Sequence, residues 1–157
     1  NDLPATIQEL LRVLKPGGLL MFATFGPDTL KELRACWQQV DDAVHVNQFV
    51  DMHDVGDELL RSGFADPVME AETITLNYDS VDTLMADLRA IGANATADGG
   101  RAGLTTPALL SKLRQAYDSY RSDRLLPATY EVVYGHAWKV SSQKSAEVQV
   151  DVTGLST

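Results

Sequence analysis

Glu9-Leu10-Leu11-Arg12-Val13-Leu14-Lys15-Pro16-Gly17-Gly18-Leu19-Leu20-Met21-Phe22-Ala23-Thr24-Phe25 carries two structural signals back to back. Ile7, Leu10, Leu11 and Leu14 recur at helical spacing, and Asp2 ahead of Leu3-Pro4 supplies an N-cap and an early proline. Lys15 places a cation in the last turn, and Pro16-Gly17-Gly18 stops the helix. Leu19 to Phe25 then forms a nearly continuous apolar run. A run of that kind, straight after a helix and a glycine turn, predicts a strand buried on both faces, as in the parallel sheets of α/β proteins.

Working outward, Gly26-Pro27 breaks the strand and Asp28 is expected to cap a helix with Leu30, Leu33, Trp37 and Val40 on its apolar face and Glu32 in its first turn. Residues 41–49 read as a loop. A short helix over 51–62 places Val55, Leu59 and Leu60 inward, with Gly63 at its C-terminal end. Imperfect alternation over 67–78 predicts a half-exposed strand. Ser80 caps a helix over 80–91 whose face is Val81, Leu84, Met85, Leu88 and Ile91. A glycine- and alanine-rich loop over 92–103 separates it from a second helix over about 106–122, with Leu109, Leu110, Leu113, Ala116, Tyr117 and Tyr120 inward. A long strand over 128–140 sets Tyr130, Val132, Tyr134, His136 and Trp138 on one face, the side expected to pack in the core or against helices. Residues 141–157 are expected to form a flexible tail. No internal repeat is visible. One strongly apolar strand followed by two polar-faced ones predicts the end of a mixed sheet, not a whole one.

The 157 residues suffice for one core, and 45% hydrophobic with 22% charged residues excludes a wholly disordered or collagen-like chain. The longest apolar run is far short of the ~20 residues that span a bilayer, and no basic-then-apolar leader opens the sequence, so a cytoplasmic protein is expected. A net charge of −9 argues against nucleic acid or an anionic membrane as partner. The charge is uneven: residues 1–79 carry 5 basic and 14 acidic side chains, and residues 80–139 carry 7 and 6. An acidic partner is therefore tolerated best by the second half. Cys36 is the single cysteine, so no internal disulfide or cysteine metal site is possible; with no base partner in view it reads as an ordinary helix residue. His45 and His53 lack metal-ligand spacing, and no metal is expected.

The Arg12–Gly18 helix end and the apolar strand after it resemble class I S-adenosylmethionine-dependent methyltransferases, at the helix before the fifth strand and that strand itself. Phe25–Leu33, His45–Phe49, Gly63–Pro67, Asp87–Asn94 and Leu126–Trp138 narrow the resemblance to the malonyl-(acyl-carrier-protein) O-methyltransferases of biotin synthesis. The resemblance covers about residues 1–139. It implies a Rossmann-like α/β fold whose strands 19–25, 67–78 and 128–140 are the fifth, sixth and antiparallel seventh. A helical lid insertion over about 80–127 would precede the last strand. Residues 1–140 would then be the C-terminal part of a methyltransferase domain. The family's glycine-rich cofactor loop, which follows its first strand, has no counterpart here: Gly99-Gly100 lies between helices and Gly17-Gly18 precedes a strand. S-adenosylmethionine is thus implied for the intact enzyme, with no cofactor-binding residue in this chain and no activity from it alone.

The resemblance implies substrate-side roles. Phe25 and Gly26, at the carboxyl end of the 19–25 strand, are either crevice-lining residues or a core phenylalanine and a turn glycine. A carboxylate acceptor is already an anion, so it needs positioning and a cation or donor, not acid–base help. Arg89, Asn94 and Arg101 near the lid, and Tyr130, are the candidates. The arginines also read as solvated cations, Arg89 favoured at a helix end by the dipole. Lys112, Arg114, Arg121 and Arg124 are expected either to dock an acidic acyl carrier protein or to form a solvated helix face with Asp118 and Asp123. No catalytic residue is singled out. The unpaired edge of the 19–25 strand predicts a homo-oligomer. Two other readings stay open: a non-catalytic docking or dimerisation module, and a methyltransferase for another small molecule.

Overall fold

The computed structural model describes residues 2–93 and 106–141. Most of the 92–103 loop, including Asn94 and Arg101, and the expected tail beyond Ser141 lie outside the described residues. Among the described residues, five helices and three strands follow in the order α1 (Leu3–Val13), β1 (Leu19–Phe25), α2 (Lys31–Gln38), α3 (Met52–Ser62), β2 (Phe64–Tyr78), α4 (Val81–Ala90), α5 (Pro107–Asp118) and β3 (Leu126–Lys139).

The capping chemistry explains most boundaries. Asp2 Oδ1 accepts from the Ala5 N–H at 3.0 Å and starts α1. At its other end Lys139 Nζ donates to the carbonyls of Leu11 and Leu14, which no longer have helical partners (2.7 and 2.9 Å). Asp51, Ser80 and Thr106 cap α3, α4 and α5 through their side chains. Gly63, at φ +99°, ends α3 in the left-handed conformation.

Helix α2 departs from expectation. Asp28 does not cap it; Leu30 precedes the helix at φ +54° with no side-chain cap, and Asp28 pairs instead with Lys31 Nζ at 2.8 Å. Helix α5 also ends four residues early. Ser122 and Leu125 exchange backbone hydrogen bonds (2.8 and 2.9 Å) around Asp123 and Arg124, both at positive φ, and this tight reversal feeds the chain into β3.

The sheet order is β1-β3-β2, with β3 antiparallel to both neighbours. The register runs from Leu19 opposite Trp138 to Phe25 opposite Val132, and from Phe64 opposite Lys139 to Tyr78 opposite Leu126, with an irregularity between Ala65 and Val68. Strands β1 and β2 are therefore parallel to each other across an antiparallel last strand.

Two cores form. Ile7, Leu20, Val55, Leu59, Phe64 and Ala137 join α1 and α3 to one side of the sheet. Leu33, Cys36, Trp37, Leu84, Leu113, Tyr117 and Ala128 join α2, α4 and α5 to the start of β3. Ala128 and Ala137 differ in strand parity, so the two cores lie on opposite faces.

The expectation that β1 is buried on both faces does not hold. Leu20 is buried, but Met21 is 73% exposed, and Leu19 and Phe25 are also exposed. Helices α1 and α3 cover one face of this end, and no described element covers the other. Tyr134 and Trp138, expected to pack in the core or against helices, are exposed for the same reason.

Candidate active site

The carboxyl end of β1 is the natural site in a sheet of this kind, and antiparallel pairing brings the start of β3 beside it. A tight turn leaves β1 there. The Gly26 N–H donates to the Glu131 carbonyl at 2.9 Å, and the Asp28 N–H donates to Glu131 Oε2 at 2.8 Å. A Cβ at Gly26 would collide with the Glu131 side chain, which would have to swing away and give up the Asp28 N–H. Thr29, fully buried, accepts from the Glu131 N–H and donates to its carbonyl, each at 3.1 Å.

Helix α2 reinforces the turn. Arg34 donates to the carbonyls of Pro27 and Thr29 at 3.0 and 2.8 Å. Glu32, 7% exposed, accepts from both the backbone N–H and the hydroxyl of Thr129. A buried carboxylate holding two donors is satisfied in place and ties α2 to β3.

Aromatic side chains line this end. Phe25 meets Phe49 edge-on at 5.7 Å and Tyr130 at 6.1 Å. Burial and a hydrogen bond to Tyr78 push the Tyr130 phenol well above the usual tyrosine value, so it stays neutral. It can therefore serve as a hydrogen-bonding group or an apolar wall, but not as a base. Helices α4 and α5 stand above, joined by the two-point pairing of Arg114 with Asp82 at 2.9 and 2.7 Å. Tyr117, fully buried, donates to the Pro127 carbonyl at 2.9 Å and fixes α5 to β3.

Of the residues singled out in the sequence, the structure brings Phe25, Gly26 and Tyr130 together. Arg89 is exposed on the last turn of α4, its Nε donating to the Met85 carbonyl of its own helix. Asn94 and Arg101 lie outside the described residues. In the basic set, Arg114 is engaged by Asp82, and Arg121 by Asp118 and the Arg124 carbonyl, while the side chains of Lys112 and Arg124 face solvent.

Phe49, Tyr78, Glu131, Glu32 and Arg34 escaped the sequence reading of the site. Phe49 sits in a segment without periodicity. Glu32 carried the one legible signal, a carboxylate four residues before Cys36 on the face that α2 buries.

The turn after β1 offers no open cradle for a cofactor, because the Gly26 N–H is bonded and the space at its Cα is filled by Glu131. Among the described residues, no group of three or more His, Cys, Asp or Glu could hold a metal ion. No helix among them is long and apolar enough to cross a membrane.

No protein-family model matches the chain. It is similar to the malonyl-[acyl-carrier protein] O-methyltransferases of Gallionella capsiferriformans (57% identical over 139 residues, 88% of this chain, 48% of that protein) and Laribacter hongkongensis (57% over 144 residues, 91% and 48%). The enzyme of that name from Halorhodospira halophila is 46% identical over 162 positions, covering 99% of this chain and 55% of the relative. The chain thus spans about half the length of the curated relatives it matches. Among solved structures, a candidate methyltransferase from Bacillus halodurans superposes with a TM-score of 0.53 at 14% identity, over 88% of this chain and 63% of that one, which supports the α/β methyltransferase fold alone.

Proposed function

We propose that this chain forms the acceptor-side part of an S-adenosylmethionine-dependent methyltransferase that esterifies the free carboxylate of malonyl-acyl carrier protein in the cytoplasm. The observation that carries the reading is identity of 46–57% to enzymes of that name over 88–99% of the chain.

The cofactor, held by the remainder of the protein, supplies an electrophilic methyl group when bound. Methyl transfer to a carboxylate oxygen moves no proton, so this chain's residues need only orient the acyl group and exclude water. Phe25 and Tyr130 provide an apolar wall, and the neutral Tyr130 hydroxyl cannot compete as a nucleophile. Arg89 or Arg101, with Asn94, is proposed to hold the malonyl carboxylate. Esterification removes a charge that would be costly to bury in an apolar pocket downstream.

Acyl carrier protein is taken to be acidic, and the lid carries the cations to meet it. Lys112 and Arg124, exposed on and beyond α5, would carry the docking; Arg114 and Arg121 shape the lid through their pairs. Titrating labelled malonyl-acyl carrier protein into the chain tests this. Binding should weaken about tenfold on Lys112→Glu with Arg124→Glu, and the fall in affinity with added salt should be steeper for the native chain than for the variant. Unchanged affinity in the double variant would contradict docking through this face.

The chain is further proposed to self-associate through the β1 edge and the adjoining uncovered sheet face, where Met21, Val68, Tyr134 and Trp138 are exposed.

A further inference from the structure

Residues 39–51 contain no helix or strand, yet three side chains fix their path. The His45 imidazole stacks on the Trp37 indole, ring centres 3.7 Å apart and planes 12° apart. Its Nε2 lies 2.7 Å from Asp41 Oδ1. Val46, next in the chain, is buried in the core that holds Trp37. Three residues further on, Phe49 makes its edge-on contact with Phe25.

Helix α2 therefore grips both sides of the site. Arg34 holds the turn that follows Phe25, and Trp37 holds the loop that delivers Phe49. A cavity of about 240 Å³ opens beside the stack, lined by Arg34, Trp37, Asp41, His45 and Gln48. The imidazole borders this cavity on one side, and the stack and the carboxylate hold it on the others. A stacked ring pinned in its plane sets the direction in which the chain leaves residue 45.

We propose that the Trp37–His45–Asp41 clamp positions Phe49 against Phe25, making His45 a positioning residue and Phe49 a wall of the acyl-facing site. The role of the wall rests on the methyltransferase reading; the clamp does not. Its test is fluorine NMR on the chain carrying 4-fluorophenylalanine at position 49. His45→Ala is expected to move the fluorine resonance, and His45→Phe, which keeps the stack, to restore it. If His45→Ala does not fold, His45→Gln, which loses the stack but keeps a donor for Asp41, is expected to give the same displacement. A resonance unmoved by loss of the stack overturns the clamp.

The wall is tested in a chimaera joining this chain to the portion of the Gallionella enzyme it does not match. Phe49→Ala should raise KM for malonyl-acyl carrier protein about tenfold with kcat within about twofold, and adding His45→Ala should cost nothing more. An unchanged KM overturns the wall. If the parent chimaera methylates no malonyl-acyl carrier protein, the methyltransferase reading fails, and the fluorine signal alone judges the clamp.

Discussion

Cys36 shows how a single position changes meaning once its surroundings are known. It faces the interior of α2 with no exposed surface, and burial, aided by the nearby Glu32 carboxylate, pushes its thiol up to about 11 from 9.0. Such a thiol is a core side chain, not a nucleophile. The folded state holds the proton more tightly than the unfolded state does. The stabilisation is therefore complete below pH 9 and is lost as pH rises from about 9 to 11. Urea melts of the wild type should lose stability across that window more than those of Cys36→Ala; parallel curves would show that the thiol is not buried as described. Sequence reading reached the inert role of Cys36 but not that of Glu32. A first-turn glutamate ordinarily reads as a solvated helix-dipole partner, and nothing local shows that Thr129, 97 positions away, supplies two donors to it.

At the scale of elements, every helix and strand was legible, because periodicity and caps are local. Ser80, Gly63 and the Pro16-Gly17-Gly18 stop acted as their chemistry requires, and Asp51, not read as a cap, starts α3. The start of α2 was not legible: Asp28 is a good cap in isolation, but the Glu131 carboxylate takes its N–H and Lys31 takes its side chain. Burial of β1 was misjudged because an apolar run reports what a strand tolerates, not what covers it.

The pairing of β1 with β3 has its own requirement. Gly135 lies directly under the Phe22 ring and close to Met69 Sδ, and a Cβ there would overlap both. Gly135→Ala should destabilise the chain by roughly 1–3 kcal/mol through overpacking, and Phe22→Leu should recover part of that loss in the double variant. A Gly135→Ala protein with unaltered urea midpoint would refute this packing.

For the whole molecule, β3 runs antiparallel to both β1 and β2, as the resemblance implied for the last strand, and two helices precede β3 where the lid insertion was expected. The sheet is covered on opposite faces at its two ends, which leaves an apolar surface around Met21, Val68 and Trp138. Light scattering of the chain should give a dimer or larger species that Met21→Glu with Val68→Glu dissociates; a monomer at high concentration would contradict the proposed association. The candidate site was legible only in its β1 and β3 residues. Phe49 and Arg34 reach it through tertiary contacts that no spacing encodes.

The proposed reaction is methyl transfer to a carboxylate on a carrier protein, with this chain supplying the acceptor side. Intact-mass spectrometry of malonyl-acyl carrier protein, incubated with S-adenosylmethionine and either the chain alone or the chimaera, measures it directly. The malonyl group is expected to gain the mass of one methylene with the chimaera and no mass with the chain alone, and acetyl-acyl carrier protein is expected to stay unmodified. An unmodified malonyl-acyl carrier protein with a folded, cofactor-binding chimaera, or turnover by the chain alone, would contradict it.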